Sequence, residues 1–575
     1  MTFTCDGAYW GEASLRRRMS PVKKRSLTLI TSAAVLALGA PLALAGCSGA
    51  SDSSGGGGEK NTRTTLTYAS GDAEPECLDP HVGGNYPQAL AATQYAENLV
   101  SRDEDGKIIP WLAESWKVSD DGLTWEFKLK DGVKFTDGTD LDWTAVKANV
   151  DHLLDPDTAS STGYLAFQKI ESVSKGDSDL DAVVKLKSPD SALLESFSQV
   201  WNAIESPEAL KRSQEENCKA PVGTGPFEVE SWTKQDRVVF VRNDDYNTPP
   251  EDAKNQDGPA ALKKIEWRFI PDSATRYAAL QSGDVDVIDN AQPDTIKSAS
   301  KESGIEHLDA PRPGASNRIE LNSGQAPFDD QKVREAFIRS VDVDAAVDSL
   351  FLGTAKRSHS AMSSVEPFTY DAEDAYPYDL DAAKKLLDEA GWKPGKDGIR
   401  EKNGKKLTLR FPVSTNQSIP AEQSLFEQLQ AGAKEAGFDV KIDLLDLAGW
   451  YDALGKNNYE LVSAPYTKVG PDVLRILFHS SGITPAPSGY FANHAQIDDP
   501  ALDKALDQAQ ATVDDEDARK KLYQDAQKEI AEKQVILPLY DQQNHYLYRS
   551  GVKGLRALPT VATPTFLDVE ALPAK

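Results

Sequence analysis

The chain has 575 residues, of which 39% are hydrophobic and 27% charged, a composition that excludes fibrous repeats and disorder of the whole chain. Its length predicts roughly three to five structural units. The 63 basic residues against 90 acidic ones give a formal charge of −27, which argues against a nucleic-acid partner because such a partner requires a basic surface.

Residues 1–46 have the pattern of a secretion signal. A basic cluster at 23–25 precedes an apolar stretch at 27–45, which is short for a membrane span and is interrupted by Gly and Pro. The stretch ends in the sequence LAGC at 44–47, which resembles the lipobox of a bacterial lipoprotein. The resemblance implies cleavage before Cys47 and lipid on its sulfur, with an ordinary secretion signal as the alternative.

Residues 47–61 are expected to be the lipid anchor and a flexible linker. Ser and Gly dominate this segment, as is typical of tethers between an anchor and a folded body. We therefore expect the protein on the extracytoplasmic face of the cell membrane, at the cell surface or in a periplasm. Met19 is an alternative start of the chain, and the sequence leaves that choice open.

Two cysteines, Cys77 and Cys218, lie in the secreted part beyond the anchor. Outside the cytoplasm a pair of cysteines is more often bridged than free, so we expect a disulfide between them. A metal site is the weaker interpretation, because the chain has no CxxC motif and no neighbouring pair of histidines near these positions.

Hydrophobic periodicity predicts both strands and helices along the secreted part. Apolar residues at every second position, or in short runs, predict strands at 64–69, 125–130, 238–241, 265–270, 407–413 and 440–444. Apolar residues at helical spacing predict helices at 89–99, 332–340, 380–390, 424–436, 501–512 and 516–532. The elements mix without strict alternation, which favours a multi-lobed α/β protein over a barrel.

Six stretches together carry a family resemblance. Residues 111–138 read WLAESWKVSDDGLTWEFKLKDGVKFTDG, and the others follow in order: PVGTGPF at 221–227, ALQSGDVDVI at 279–288, FDDQKVREAFIRSV at 328–341, YPYDLDAAKKLLDEAGW at 376–392 and VILPLY at 535–540. They closely resemble the extracellular solute-binding proteins of family 5, which are receptors of ABC importers for oligopeptides, dipeptides and nickel chelates. The resemblance spans about residues 64–558.

This resemblance implies a two-lobed α/β clamshell like the class II periplasmic binding proteins, with an extra subdomain and a discontinuous first lobe. The implied boundaries are 62–92, 221–315 and 536–575 for lobe I, 93–220 for the extra subdomain and 316–535 for lobe II. A ligand between the lobes contacts both only when they close, so binding shifts the equilibrium toward the closed form that the importer recognises.

Candidate ligand contacts lie first around the crossing between the lobes. In PVGTGPF, the candidate contacts are Gly223, Thr224 and Gly225. The two glycines would let a ligand approach the backbone, and a structural turn is the alternative interpretation. Trp201 and Asn202 precede the crossing and are candidates with core packing as the alternative.

Four other positions are candidate contacts because their side chains suit a cleft. Tyr86 ends the loop after the first strand and is expected at the cleft rim. Trp450, followed by Tyr451, suits an apolar wall or the core. Gln543 follows the closing strand and offers an amide to a ligand, or it belongs to a polar loop.

Residues 463–480 depart from the peptide-binding members of the family. There the segment carries an Asp that pairs with the ligand's amino group, in a pattern similar to A-D-Y-x-D-P. In this chain Pro465 and Tyr466 follow Ala464, so that carboxylate is replaced. Tyr466 and the downstream Asp472 are nevertheless candidate ligand contacts, and Arg475 is able to pair with a ligand carboxylate or to stay exposed on a helix.

The sequence therefore predicts a lipid-anchored, monomeric receptor that captures peptides or peptide-like solutes for the permease subunits of an ABC importer. The alternatives are a sugar-phosphate, an opine-like conjugate or a metal chelate as ligand, and, remotely, a lipoprotein hydrolase. No catalytic motif is present, so neither an enzyme nor a cofactor is predicted. His479 and His494 lack the spacing of metal ligands, and no metal site is predicted.

Overall fold

The computed structural model describes residues 62–415, 417–463 and 465–573. The signal at 1–46, the lipidation at Cys47 and the linker up to residue 61 lie outside the described residues. The predicted periodicities are reproduced closely. The strand Thr124–Leu129, for example, buries Trp125, Phe127 and Leu129 and leaves the alternate positions partly exposed, as a half-buried strand must.

The largest sheet collects strands from three separate parts of the chain. In spatial order it consists of Ile305–Pro311, Gln543–Arg549, Val287–Ile288, Thr65–Ser70, Lys264–Phe269, Arg237–Arg242 and Phe227–Thr233. The central strand Thr65–Ser70 pairs in parallel with strands on both sides, which places Tyr68 beside Trp267 and Val287. The predicted discontinuous lobe I corresponds to this sheet.

Shorter elements complete lobe I. Two small antiparallel pairs join Thr62–Arg63 to Leu572–Pro573 and Arg556–Leu558 to Thr563–Thr565. The helices of this lobe are Tyr86–Ala92, Ser273–Ser282 and Pro293–Ala299. The helix predicted at 89–99 is instead Tyr86–Ala92. It ends there because the backbone of Tyr95 and Ala96 packs directly against Gly223 and Gly225.

The extra subdomain has its own sheet and its own apolar core, formed by buried residues between Leu99 and Ile204. Its four antiparallel strands are, in spatial order, Ala113–Val118, Thr124–Leu129, Asp181–Leu186 and Ile170–Lys175. A further pair joins Val100–Arg102 and Ile108–Pro110. Its helices are Trp143–Leu154, Thr162–Phe167, Leu193–Phe197 and Gln214–Lys219, with 3-10 turns at Pro156–Thr158, Val200–Asn202 and Ala209–Lys211.

Lobe II is built around a third core, which runs from Ala315 to Tyr540. Its strands are Leu461–Ser463, Asn317–Leu321 and Ile536–Tyr540 in one sheet, the parallel pair Thr408–Ser414 and Asp439–Leu445, and the small sheet Lys393–Pro394, Arg400–Lys402 and Lys405–Lys406. Its helices are Gln331–Arg339, Val343–Phe351, Leu380–Glu389, Pro420–Ala436, Leu447–Gly455, Val473–Phe478, Pro500–Ala511 and Glu516–Glu532, with 3-10 turns at Glu373–Ala375 and Ser480–Ile483.

One expected boundary is wrong by a strand. The sequence analysis placed residues 536–575 in lobe I, but Ile536–Tyr540 pairs with Asn317–Leu321 and is buried throughout in lobe II. The chain therefore returns to lobe I after Tyr540. The reason is that ILPLY is apolar at every position, and such a run is accommodated only inside a sheet that is covered on both faces.

Two chain segments that connect the lobes lie side by side. The first follows the strand Ile305–Pro311 and the second follows Ile536–Tyr540; the Arg312 N–H donates to the carbonyl oxygen of Gln542 over 2.9 Å. Within the described ranges, no helix combines the length and the apolar character that a membrane span requires.

Candidate ligand-binding cleft

Two adjoining cavities lie where the lobes face each other. The first has a volume of about 110 Å³ and the second about 440 Å³. They share Asp72 of lobe I, Arg312 of the crossing segment and Gln417 of lobe II. Because residues of both lobes line these cavities, a molecule held here contacts both lobes at once.

Aromatic side chains form the walls of the first cavity: Tyr86, Trp201, Trp450, Tyr451, Tyr466 and Tyr490. Tyr86 is fixed by a hydrogen bond from its hydroxyl to the carbonyl oxygen of Val561 at 2.7 Å, and Trp201 by one from Nε1 to the carbonyl oxygen of Asn85 at 3.1 Å. The walls are therefore rigid and amphipathic, which suits the recognition of small organic solutes.

Arg312 is the central charged group of the cleft. Its Nε and one terminal nitrogen donate to Thr467 Oγ1 at 3.1 and 2.5 Å, and its guanidinium carbon lies 3.8 Å from the centre of the Tyr86 ring. No carboxylate of the described residues lies within ion-pair distance of it. A half-buried guanidinium held in this way has free donors for an anionic group of a ligand.

Two carboxyl groups line the second cavity from opposite lobes, and Asp72 lines the first cavity as well. Burial, followed by the negative charge of Asp289, raises the pKa of Asp72 to about 7, while Asn290 Nδ2 donates to it over 2.8 Å. Burial likewise raises the pKa of Glu422 to about 7, against the hydrogen bond that it accepts from Asn317 at 2.6 Å. A cationic ligand in the cleft would stabilise the ionised form of both carboxyl groups.

Five of the predicted contact residues line the cleft. Tyr86, Trp201, Trp450 and Tyr466 lie in the first cavity, and Gln543 lies in the second. Tyr466 reaches it although the segment around it lacks the carboxylate of the peptide-binding pattern.

Four other predicted contacts are structural instead. Asn202 is 1% exposed and donates through Nδ2 to the carbonyl oxygen of Ser196. A Cβ on Gly223 would lie 2.0 Å from the carbonyl oxygen of Tyr95. A Cβ on Gly225 would lie 2.6 Å from the carbonyl carbon of Tyr95. Thr224 donates to the buried Glu97 at 2.7 Å. PVGTGPF is thus a close backbone contact inside lobe I.

Asp472 and Arg475 also lie away from both cavities. They form an ion pair at 3.1 Å whose side chains are only 3% and 16% exposed, and the Tyr523 hydroxyl lies 3.5 Å from Asp472. The negative charges of Asp472 and Asp190 keep the pKa of Arg475 above its usual range despite burial. Their helix, Val473–Phe478, faces the core, and so the pair stabilises lobe II.

The charged residues of the cleft were not predicted from the sequence. Asp72 was only one acidic residue in a loop rich in Gly, Pro and Asp, and Glu422 opens an ordinary helix. The sequence did offer a signal for Arg312. It lies between Pro311 and Pro313, and prolines on both sides restrict the backbone conformations open to it. The expected bridge between Cys77 and Cys218 is present as a disulfide.

The two histidines considered for a metal have separate surroundings. His494 is fully buried beside Glu320 at 3.5 Å, whereas His479 lies 3.5 Å from the exposed Asp507. Neither lines a cleft cavity.

Comparison with known proteins agrees with this architecture. The family model described as bacterial extracellular solute-binding proteins, family 5 Middle, matches residues 107–484. The nickel-binding periplasmic protein of Escherichia coli (strain K12) is 30% identical over 477 residues, which cover 80% of this chain and 86% of that protein. The glutathione-binding protein GsiB of the same strain is 33% identical over 322 residues, 55% of this chain and 60% of that protein.

Solved structures share the fold. NikA from Brucella suis in complex with Fe(III)-EDTA superposes with a TM-score of 0.76 at 26% identity, covering 88% of this chain and 99% of that one. DppA from Helicobacter pylori in complex with the peptide STSA gives a TM-score of 0.77 at 23% identity, covering 90% and 99%. The two-lobed α/β clamshell expected from the sequence is thereby confirmed.

Asp472→Ala is expected to lower the free energy of unfolding by roughly 3 kcal/mol, because it leaves a buried guanidinium without its partner. Urea denaturation of the full chain measures this. Asp452→Ala breaks an exposed pair with Lys456 and serves as the control, with an expected loss of less than about 1 kcal/mol. Unchanged stability with lost solute binding would instead return Asp472 to the ligand site.

Proposed function

Because the chain belongs to the bacterial extracellular solute-binding proteins of family 5, a family of receptors rather than enzymes, we propose that it captures peptides or peptide-like solutes for an ABC importer. The observation that carries the proposal is the charge arrangement of the cleft: Arg312 offers a free guanidinium, while Asp72 and Glu422 offer carboxylates from the two lobes. A ligand with one carboxylate and one amine complements both.

The aromatic walls support the same class of ligand. They supply apolar area, and the Tyr86 hydroxyl and Trp201 Nε1 are already bonded within the protein, whereas Trp450 Nε1 has no partner among the described residues. The terminal charges of the solute would then provide most of the orientation. Permease subunits recognise the closed lobes in this proposal, and the receptor acts as a monomer.

The lobes are positioned for such closure. Ser161 donates to Ser488 at 2.8 Å, and Lys468 donates to Ser196 at 3.3 Å, both between the extra subdomain and lobe II. The buried ion pair of Arg102 with Glu366 at 3.1 Å joins the same two parts, so they are in contact as a closed form requires.

A metal chelate or an opine-like conjugate is the second candidate ligand. It is favoured by the nickel-binding relative and by Arg312, whose guanidinium pairs equally well with the carboxylates of such compounds. Native mass spectrometry of the protein from its own source separates the candidates by the mass of any retained cargo.

Calorimetry of the full chain with a pool of short peptides tests the peptide proposal. We expect C-terminal amidation of a binding peptide to weaken it roughly 10- to 100-fold, because a charge-assisted hydrogen bond is lost. Arg312→Ala should weaken the free peptide to the same degree and make amidation irrelevant. Arg237→Ala, at a surface ion pair, is the control and should change nothing.

Absence of heat with every peptide, together with binding of a nickel–histidine complex or an opine, would replace the peptide proposal by the second candidate. An amidation effect that persists in Arg312→Ala would show that another group holds the carboxylate.

The affinity for an amine-bearing peptide is expected to fall about tenfold from pH 8 to pH 6. Asp72, whose pKa is raised to about 7, is ionised at the higher pH and largely protonated at the lower one, so its attraction for an ammonium group is lost on acidification. Calorimetric titrations across this range measure it. Asp72→Asn should bind weakly at both pH values; an unaltered pH profile in this variant would exclude Asp72 from the site.

We further propose that Cys47 carries a lipid that holds the receptor at the membrane, on the basis of the LAGC pattern. Cys47→Ser should move the protein from the membrane fraction to the soluble fraction of its source bacterium. Cys5→Ser is the matched control, because Cys5 precedes the cleavage site and should leave fractionation unchanged. Membrane attachment of Cys47→Ser would show that the anchor lies elsewhere.

A further inference from the structure

A cluster of buried titratable groups lies behind the loop that carries Tyr86. Asp79, His81 and Glu205 are 1%, 0% and 0% exposed, and one candidate ligand atom from each lies within 4.8 Å of the others. None of the three lines the cleft cavities. The cluster joins the loop after the first strand of lobe I to a segment of the extra subdomain.

The two carboxylates lack a positive partner. No Lys or Arg of the described residues lies within ion-pair distance of Asp79 or Glu205. Asn217 Nδ2 donates to both, to Asp79 at 2.7 Å and to Glu205 Oε2 at 2.9 Å, and Arg212 fixes that orientation by donating to Asn217 Oδ1 at 2.6 Å. The other oxygen, Glu205 Oε1, is buried and finds no hydrogen-bond partner among the described residues.

His81 has the tautomer that a metal requires. Its Nε2 lies 2.8 Å from the carbonyl oxygen of Ala203, and because a carbonyl oxygen only accepts, Nε2 carries the proton. The lone pair of a neutral ring is then on Nδ1. His152 Nδ1 lies 3.0 Å from this atom, so the His152 ring carries the proton and donates it to the lone pair of His81, and a metal at His81 Nδ1 takes the place of that hydrogen bond.

We propose that Asp79, His81 and Glu205 bind a divalent transition-metal cation of the zinc type. Two carboxylates and an imidazole suit zinc and its neighbours, and a divalent charge stabilises the ionised form of the two buried carboxyl groups. Ligands about 2.1 Å from a tetrahedral zinc lie about 3.4 Å apart, which small side-chain adjustments allow here. The hydrogen bond from His81 to a backbone carbonyl is the usual support behind a histidine ligand.

The site has a structural role. Gln88 donates to the carbonyl oxygens of Asp79 and Val82 and receives the N–H of Asn85, so the cluster is continuous with the loop that ends at Tyr86. The disulfide and the hydrogen bond from Leu78 N–H to the Cys218 carbonyl oxygen hold the other side. A bound cation fixes the rim of the cleft without touching the solute.

Metal content and thermal melting of the full chain, with no solute added, test the proposal independently of the function proposed above. Protein purified without chelator should contain about one equivalent of metal. Removal of the metal with EDTA should lower the melting temperature, and zinc alone should restore it, whereas calcium, which prefers six to eight oxygen ligands, should not.

Glu205→Gln and His81→Gln should each weaken zinc binding by at least about tenfold. Glu205→Gln keeps the shape of the side chain and its acceptor for Asn217, so it tests the site even if His81→Gln fails to fold. His307→Gln is the matched control: His307 also faces a histidine, His545, at 3.1 Å, but at the surface.

Two outcomes would overturn the proposal. One is restoration of melting by zinc in Glu205→Gln to the same extent and at the same concentration as in the unaltered chain, which would assign the effect to another group. The other is loss of zinc binding in Asp72→Asn but not in Glu205→Gln, which would place the metal in the cleft.

Discussion

The cleft depends on one guanidinium that lies where the chain crosses between the lobes. Arg312 is held by its own backbone bond to Gln542, by Thr467 of lobe II and by the face of Tyr86 in lobe I. These contacts hold the guanidinium in place, but none of them is with a carboxylate, so they do not neutralise its charge. In the proposed function, an anionic group of the solute binds this guanidinium, which both lobes hold in place.

The carboxyl groups opposite Arg312 follow from the same enclosure. Burial raises the pKa of both Asp72 and Glu422 to about 7, so their charge is sensitive to what enters the cleft. The shape of the cleft thus comes from aromatic residues and its charge from other residues. Such a division allows one fold to serve ligands that vary within the family.

Behind the rim of the cleft, a second layer keeps the loop at residues 77–86 in place. The disulfide between Cys77 and Cys218, the amide of Gln88 and the Asp79, His81 and Glu205 cluster all act on the backbone of this loop. A loop that carries a ligand contact costs conformational entropy to order, and these interactions offset that cost before a solute arrives.

The sequence by itself determined the family, the most regular strands and helices and most of the aromatic lining. Alternation within Thr124–Leu129 and helical spacing within Glu516–Glu532 are local properties, and local properties survive in any fold that the chain adopts. The family motifs extended this to the two-lobed architecture. Tyr86, Trp201, Trp450 and Tyr466 were identified because large aromatic residues after strands and in loops favour clefts.

Only the tertiary structure decided which charged residues meet. Asp72, Arg312 and Glu422 are far apart in the chain, and in so acidic a sequence no local pattern distinguishes Asp72 from its neighbours. Conversely, Asp472 and Arg475 are close in sequence and satisfy each other inside lobe II. The role of a charge depends on its distance to other charges and to water, and the fold sets both.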